Sequence, residues 1–196
     1  MFMPNPSPNP SILIQEILKN LPLIIKAISA FVDALKTPKV DDAEKIGAKA
    51  IQAEEDNIIP ENYDEYNDYY DAVDKIVIDE EKSKLLDENE KLTKGMEIIV
   101  RLVDETYPQM KLPLLLETIS KSDSLNDFVT PEHFAALAKE ALNDKELIGN
   151  VVSLIRGEDM KTDDYISVVG KLVEIESNIH PEKSIDECKQ YVESLG

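Results

Sequence analysis

Apolar residues recur along most of this chain at the spacing of a helix and almost nowhere at the spacing of a strand. Ile14, Ile17, Leu18 and Leu21 step by three and four behind Ser11, a residue type that caps helices. Pro22 ends or kinks that run, or opens the next helix in its first turn. Residues 23–35 are apolar on nearly every side, as in a helix covered on several faces, and Leu23, Ile24, Ile28 and Phe31 are its expected buried positions. Thr37-Pro38 closes it, and Asp41 with Glu44 has capping-box spacing for a helix to about residue 55. Tyr63, Tyr66, Tyr70, Val73 and Val77 form a heptad-like stripe and predict another helix. An amphipathic run over 85–107 carries Leu85, Leu92, Met96, Ile99, Val100 and Val103, with Gly95 as a break between the two halves of the chain and Pro108 as its stop. Further helices are predicted over 112–120, over 131–142 behind Thr130, over 147–155 up to Gly157, and over 165–179 up to Pro181. A last one follows a Ser184–Glu187 capping box, with Ile185, Cys188, Tyr191, Val192 and Leu195 on one face. The only β-branched run, Ile76-Val77-Ile78, is short.

The pattern also repeats. Residues 21–29 read Leu-Pro-Leu-Ile-Ile-Lys-Ala-Ile-Ser, and residues 112–120 read Leu-Pro-Leu-Leu-Leu-Glu-Thr-Ile-Ser, identical at five of nine positions. Thr37-Pro38 is echoed by Thr130-Pro131, Ala48-Lys49 by Ala138-Lys139, and Lys75-Ile76-Val77 by Lys171-Leu172-Val173. Glu81-Lys82-Ser83 is echoed by Glu182-Lys183-Ser184. The offsets drift from 90 to 101, as loop insertions would make them. Chance similarity between amphipathic helices is the competing explanation. The expected fold is an all-α helical bundle of two pseudo-repeats of about four helices each. Its expected parts are a flexible Pro/Asn arm at 1–10, a first helical repeat at 11–95 and a second at 96–196, packed as one domain or as two.

Composition narrows what such a bundle does. A hydrophobic fraction of 42% is enough for a core, so wholesale disorder is excluded. The formal net charge is −19, and Arg101 and Arg156 are the only arginines. Nucleic-acid binders gain affinity by neutralising phosphates with Lys and Arg, so this balance argues against nucleic acid as a partner. It argues equally against an anionic membrane surface. No 18-residue uncharged run is present, and no basic residue precedes the first apolar run as a secretory signal requires. A soluble, cytoplasmic protein is the expectation. The single cysteine, Cys188, excludes an intrachain disulfide framework and reads as a small buried apolar residue.

Candidate chemistry is sparse. His133 and His180 stand in neither H-E-x-x-H nor E-x-x-H spacing, so zinc and di-iron bundle sites lack their ligands. Glu176 and His180 are four apart, a spacing common by chance. No nucleophile elbow, P-loop or dinucleotide fingerprint occurs. The expectation is no catalytic residue, no metal site and no cofactor.

One stretch stands apart. Residues 54–81 contain twelve acidic residues and one base, Lys75. Within it Glu61, Asp64, Glu65, Tyr66, Asp68, Tyr69 and Asp71 are the candidate partner-binding residues, because tyrosines beside carboxylates suit recognition of Arg and Lys. Asp64, Asp68 and Asp71 share a face if the segment is helical. The plain alternative is a solvated acidic face over a tyrosine core, and a divalent-cation site is a third, though no EF-hand loop is present. The functional expectation is a non-catalytic acidic module that engages a basic protein, in the manner of immunity, antitoxin or chaperone proteins. The alternative is a structural subunit that homo-oligomerises through its apolar N-terminal helices. A nucleic-acid mimic is a more distant third.

Overall fold

The computed structural model describes residues 21–35, 43–121, 128 and 130–195. The predicted arm at 1–10, the Ser11-capped helix, the Thr37-Pro38 break and Asp41 lie outside the described residues, as do the side chains of Leu23 and Ile24. Those that are described form ten α-helices and two short 3-10 turns, with no strand among them. The chain is therefore all-α. No helix among the described residues is long and apolar enough to cross a membrane.

The helices are α1 (Leu21–Leu35), α2 (Ala43–Glu55), α3 (Tyr66–Asp74), α4 (Glu80–Leu85), α5 (Glu88–Thr106), α6 (Leu112–Ser120), α7 (Pro131–Ala141), α8 (Leu147–Ile155), α9 (Thr162–Ile179) and α10 (Ile185–Glu193). They sort into two compact units. One holds residues 41–102, and the other holds residues 22–40 together with 103–196. The boundary falls inside α5, which runs without interruption through Gly95. Gly95, expected as a break, is a mid-helix residue. Both nonapeptides are helical, and both lie in the second unit except for Leu21. A repeat of four-helix units is not confirmed by this division.

The first unit is built on a close crossing of α2 and α5. A Cβ added at Gly47 would sit 1.7 Å from the carbonyl oxygen of Lys91, and one added at Gly95 would sit 1.7 Å from that of Ala43. Only glycine leaves room for such an approach of two backbones. Around the crossing Ala43, Ile46, Ala50, Ala53, Met96 and Ile99 are buried. The stem of Lys91 is also buried, and its ammonium pairs with the exposed Glu44 at 2.9 Å. Past α2 the chain turns through Asn57 in the left-handed region (φ 60), and Ile58 N–H closes the helix by donating to the Ala53 carbonyl.

The second unit places α9 against α7, α8 and α10, with α9 and α10 forming its most extensive helix pair. Gly157 (φ 61) ends α8 as its position predicts, and Ser184 with Glu187 forms the predicted capping box on α10. On α1, Ile28 and Phe31 are buried, and the Phe31 ring meets Phe134 of α7 edge-on at 6.0 Å. The Tyr107 hydroxyl donates to the Leu35 carbonyl at 3.3 Å, satisfying an orphan acceptor at the end of α1. On α10, Cys188, Val192 and Leu195 are buried as expected, whereas Ile185 in the first turn is exposed. Helix α9 begins at Thr162, three residues earlier than its apolar pattern indicates, and Asp163 and Asp164 occupy that added first turn. There the helix dipole favours negative charge without any help from apolar burial.

The glycines make opposite predictions. Gly47→Ala or Gly95→Ala should destabilise the protein by about 1–3 kcal/mol, because two backbones must move apart. Gly170 of α9 is exposed and meets nothing within 4 Å, so Gly170→Ala should stabilise it by about 0.5–1 kcal/mol. Thermal melting of the three variants tests this, and a Gly47→Ala protein as stable as wild type would refute the close crossing.

Candidate functional site

The helix expected of the stripe over residues 63–77 is shorter than that stripe, Tyr66–Asp74, and follows the Pro60-containing loop expected at residues 57–62. Residues 54–81 run from the end of α2 through a 3-10 turn at Pro60–Asn62, helix α3, an extended link and the start of α4. Three side chains of α2, or their partners, hold this path in place. Lys49 Nζ bonds both the carbonyl and the carboxylate of Asp74, the latter at 2.7 Å, and so places a cation at the negative end of α3. Gln52 pairs with the backbone of Asp79 in both directions, at 2.9 and 3.2 Å. Glu55 pairs with Lys82 of α4. Asp79 in turn caps α4, accepting from the N–H groups of Glu81 and Lys82. The link between Asp74 and Asp79 is thus fastened by polar bonds, which leaves Val77 90% exposed rather than in a core stripe.

All twelve carboxylates of the segment are exposed. Glu54, Glu55, Asp74 and Glu81 pair with Lys94, Lys82, Lys49 and Lys84. Glu61 lies in the 3-10 turn, Asp64 and Glu65 just before α3, and Asp68 and Asp71 on it. Among the described residues no base forms an ion pair with any of these five. Asp64 precedes the helix, so it does not share a helical face with Asp68 and Asp71 as the spacing suggested.

The tyrosines divide differently from the sequence expectation. Tyr69, expected on the binding surface, is fully buried, and it forms the inner face of α3 with Val73. Tyr70, expected in the stripe, is half-buried. The stripe is shifted by one residue because α3 starts only at Tyr66, after the Pro60 turn. Around Tyr69 stand Tyr63 and Tyr66, with ring centroids 5.8 and 5.2 Å away, and Arg101 lies over Tyr66 at 5.3 Å. Burial, with Glu54, Glu97 and Glu61 nearby, pushes the Tyr69 hydroxyl up to about 12. That hydroxyl has no hydrogen-bond partner among the described residues. Of the seven candidates, six therefore remain at the surface, with Tyr66 half-buried.

A second constellation, in the second unit, is absent from any linear pattern. His133 in the first turn of α7 and Glu176 near the end of α9 are both buried, with His133 Nε2 2.8 Å from Glu176 Oε2. The other carboxylate oxygen, Oε1, accepts from Lys183 Nζ at 2.6 Å and lies 3.9 Å from His180 Nε2. On its far side, His133 Nδ1 is 2.7 Å from the Thr130 hydroxyl, which also accepts the His133 backbone N–H. Burial works to raise Glu176, but the hydrogen bonds from Lys183 and His133 outweigh it and hold the carboxyl below the usual range. Burial pushes His133 down despite Glu176. A neutral ring satisfies every contact: Nε2–H donates to Glu176, and Nδ1 accepts from the Thr130 hydroxyl. The order hydroxyl, imidazole, carboxylate is that of an acyl-transfer triad. Here, however, Thr130 is the cap of α7, and both ionisable members are shut away from solvent.

Among the described residues no group of three or more His, Cys, Asp or Glu is arranged to hold a metal ion. An open groove of about 330 Å³ runs between α7 and α9 over Ala135, Ala136, Ile175 and Ile179, crossed by the Lys171–Glu140 pair at 2.6 Å. Its rim carries both signs of charge and so favours neither an anion nor a cation. Compared with known proteins, the chain matches no protein-family model, and no curated protein or solved structure is significantly similar to it.

Two substitutions test these assignments. Tyr69→Phe should be neutral or stabilising by up to about 1 kcal/mol, since it removes a buried hydroxyl that gains no bond on folding. A loss of several kcal/mol would mean that the hydroxyl has a partner. Glu176→Gln should cost about 1–3 kcal/mol, because the buried carboxylate's charge-assisted bonds to His133 and to the partly exposed Lys183 are weakened to those of an amide. A urea unfolding series compares both with wild type, and a Glu176→Gln protein of unchanged midpoint would show that the cluster does not support the fold.

Proposed function

We propose that this protein is a non-catalytic acidic binding module, working in the cytoplasm, that engages a basic protein partner through Glu61, Asp64, Glu65, Tyr66, Asp68 and Asp71. One observation carries the reading. Five carboxylates without a basic partner among the described residues are exposed on residues 61–71, which lead into and along α3, a helix that packs against α2 and is joined to it at its C-terminal end by Lys49 and Asp74. Fixed charges on a rigid support attract an oppositely charged surface without a large ordering cost, and they speed its approach. Immunity, antitoxin and chaperone proteins use such surfaces, and a role of that kind fits the charge and the scaffold. Nucleic-acid mimicry draws on the same carboxylates, but needs them spaced like phosphates along a strand, and nothing in this segment favours that. The alternative of homo-oligomerisation through the N-terminal helices is weakened on α1, where Ile28, Phe31 and Val32 are already covered.

We also retain the tandem duplication as a proposal. Its support is the helical state of both nonapeptides, and an experimental superposition of residues 11–95 on 103–196 tests it.

The functional reading predicts that replacing Asp64, Asp68 and Asp71 together by Asn leaves folding nearly unchanged. Relief of repulsion is worth only a few tenths of a kcal/mol per pair and is offset at Asp68 by the helix dipole. Capture of basic proteins from the native host should weaken, chiefly through a slower on-rate. The difference from wild type should shrink as the Debye length falls from about 10 Å at 0.1 M to about 3 Å at 1 M salt. Equal capture by both proteins at low salt would sink the reading.

A further inference from the structure

We propose that His133, Glu176, His180 and Lys183 form an acid-sensitive latch, which holds α10 against α9 at neutral pH and lets it undock on mild acidification while the rest of the helices stay folded.

The argument begins with the count of charges around one carboxylate. At neutral pH Glu176 is balanced by Lys183, and His133 completes its bonding without a charge. Acid adds a charge at the same place, on the buried His133. A proton on His133 turns Nδ1 into a donor that faces the Thr130 hydroxyl, whose own proton then needs a new acceptor. His180, 6.3 Å away ring to ring, opposes that charge further. Lys183 and a protonated His133 then share the one buried carboxylate, and a charge at the buried His133 ring is costly.

The groups that bear on His133 come from every element around it. Its own helix contributes Glu132, which is exposed, and α9 contributes Glu176 and His180. The connection to α10 contributes Glu182, 3.2 Å from His180, and Lys183. Helix α10 contributes Tyr191, whose ring lies 6.5 Å from His133 and 5.1 Å from Lys183 Nζ, and Cys188. Helix α8 and the Pro108–Met110 turn carry no ionisable side chain, and the two on α1, Lys26 and Asp33, are exposed. None of these supplies a second buried anion.

The disturbance reaches α10 through Lys183, in the link that precedes it, and through Tyr191, whose ring faces both Lys183 and His133. The nine-residue helix is otherwise held by buried Cys188 and Val192, with Leu195 just past its end. The sign follows from His133 lying below its ordinary value of 6.5 when folded. The unfolded or undocked form binds the proton more tightly, so the latch is complete above 6.5 and weakens as pH falls below it. Glu176, lowered from 4.5, is lost only under stronger acid, so the two effects separate.

Cys188, the only cysteine and fully buried on α10, reports undocking directly. Its reaction with a dipyridyl disulfide is followed on the full chain at about pH 7.5 and about pH 5.5, normalised to the denatured chain at each pH, beside far-ultraviolet circular dichroism. Protection should fall severalfold, up to about tenfold, between the two, because one proton contributes at most about tenfold per pH unit and only the unit below 6.5 counts, while helicity is retained. His133→Gln keeps a donor for Glu176 without a titrating ring, and should hold protection level across that range. If His133→Gln exposes Cys188 at both values, His180→Gln carries the comparison and should show a smaller acid loss than wild type. The latch is overturned by a wild-type Cys188 equally protected at both values, by exposure that accompanies loss of helicity, or by a wild-type pH dependence in both variants.

Discussion

A carboxylate can leave water only where something replaces the water, and this chain allows it once among its described residues. Of the acidic side chains there, Glu176 alone is buried. Both its oxygens are occupied, by His133 and Lys183, which arrive from different parts of the second unit. The desolvation of a carboxylate is worth many times a surface ion pair, so the position of α7, α9 and the link to α10 cannot drift without exposing an unbalanced charge. The remaining acids stay hydrated, and that is how a chain of net charge −19 folds without large self-repulsion in its core.

The first unit answers the same problem in the opposite way. Its densest run of acid is kept outside and fastened from behind. Lys49 and Gln52 of α2 and the Glu55–Lys82 pair fix the backbone of residues 74–82, while the carboxylates between them face solvent. The support they fasten to is itself narrow, because α2 and α5 meet at Gly47 and Gly95 with no side chain between. A rigid acidic edge follows from backbone packing and a few polar bonds. It does not need the amphipathic tyrosine helix that the residue spacing suggests.

The two constellations differ in what they can do. The acidic edge is accessible and unbalanced, which suits encounter with a cationic surface. The buried cluster is balanced and inaccessible, which suits holding the fold together and sensing protons. Tyr69 serves the core although it sits between Asp68 and Asp71: its ring is buried behind α3, against Tyr63 and Tyr66.

Much of the helical plan was legible in the residues alone, because local chemistry decides it. The helical period, Thr130 with Pro131, the Ser184–Glu187 box and Gly157 each act within a turn of themselves, and each marks a real boundary. Misreadings came where a local signal had a distant cause. Gly95 looks like a break between the two halves, but its missing Cβ makes room for Ala43. Val77 looks like the next step of a core stripe, but the bonds from α2 stop α3 three residues earlier. The charge of residues 54–81 was plain from composition, since hydration of that many carboxylates leaves them no place but the surface. The pairing of His133 with Glu176, 43 residues apart, was not. Either residue on its own helix is an ordinary polar position, and only the packing of α7 on α9 takes both from water and makes each the other's partner.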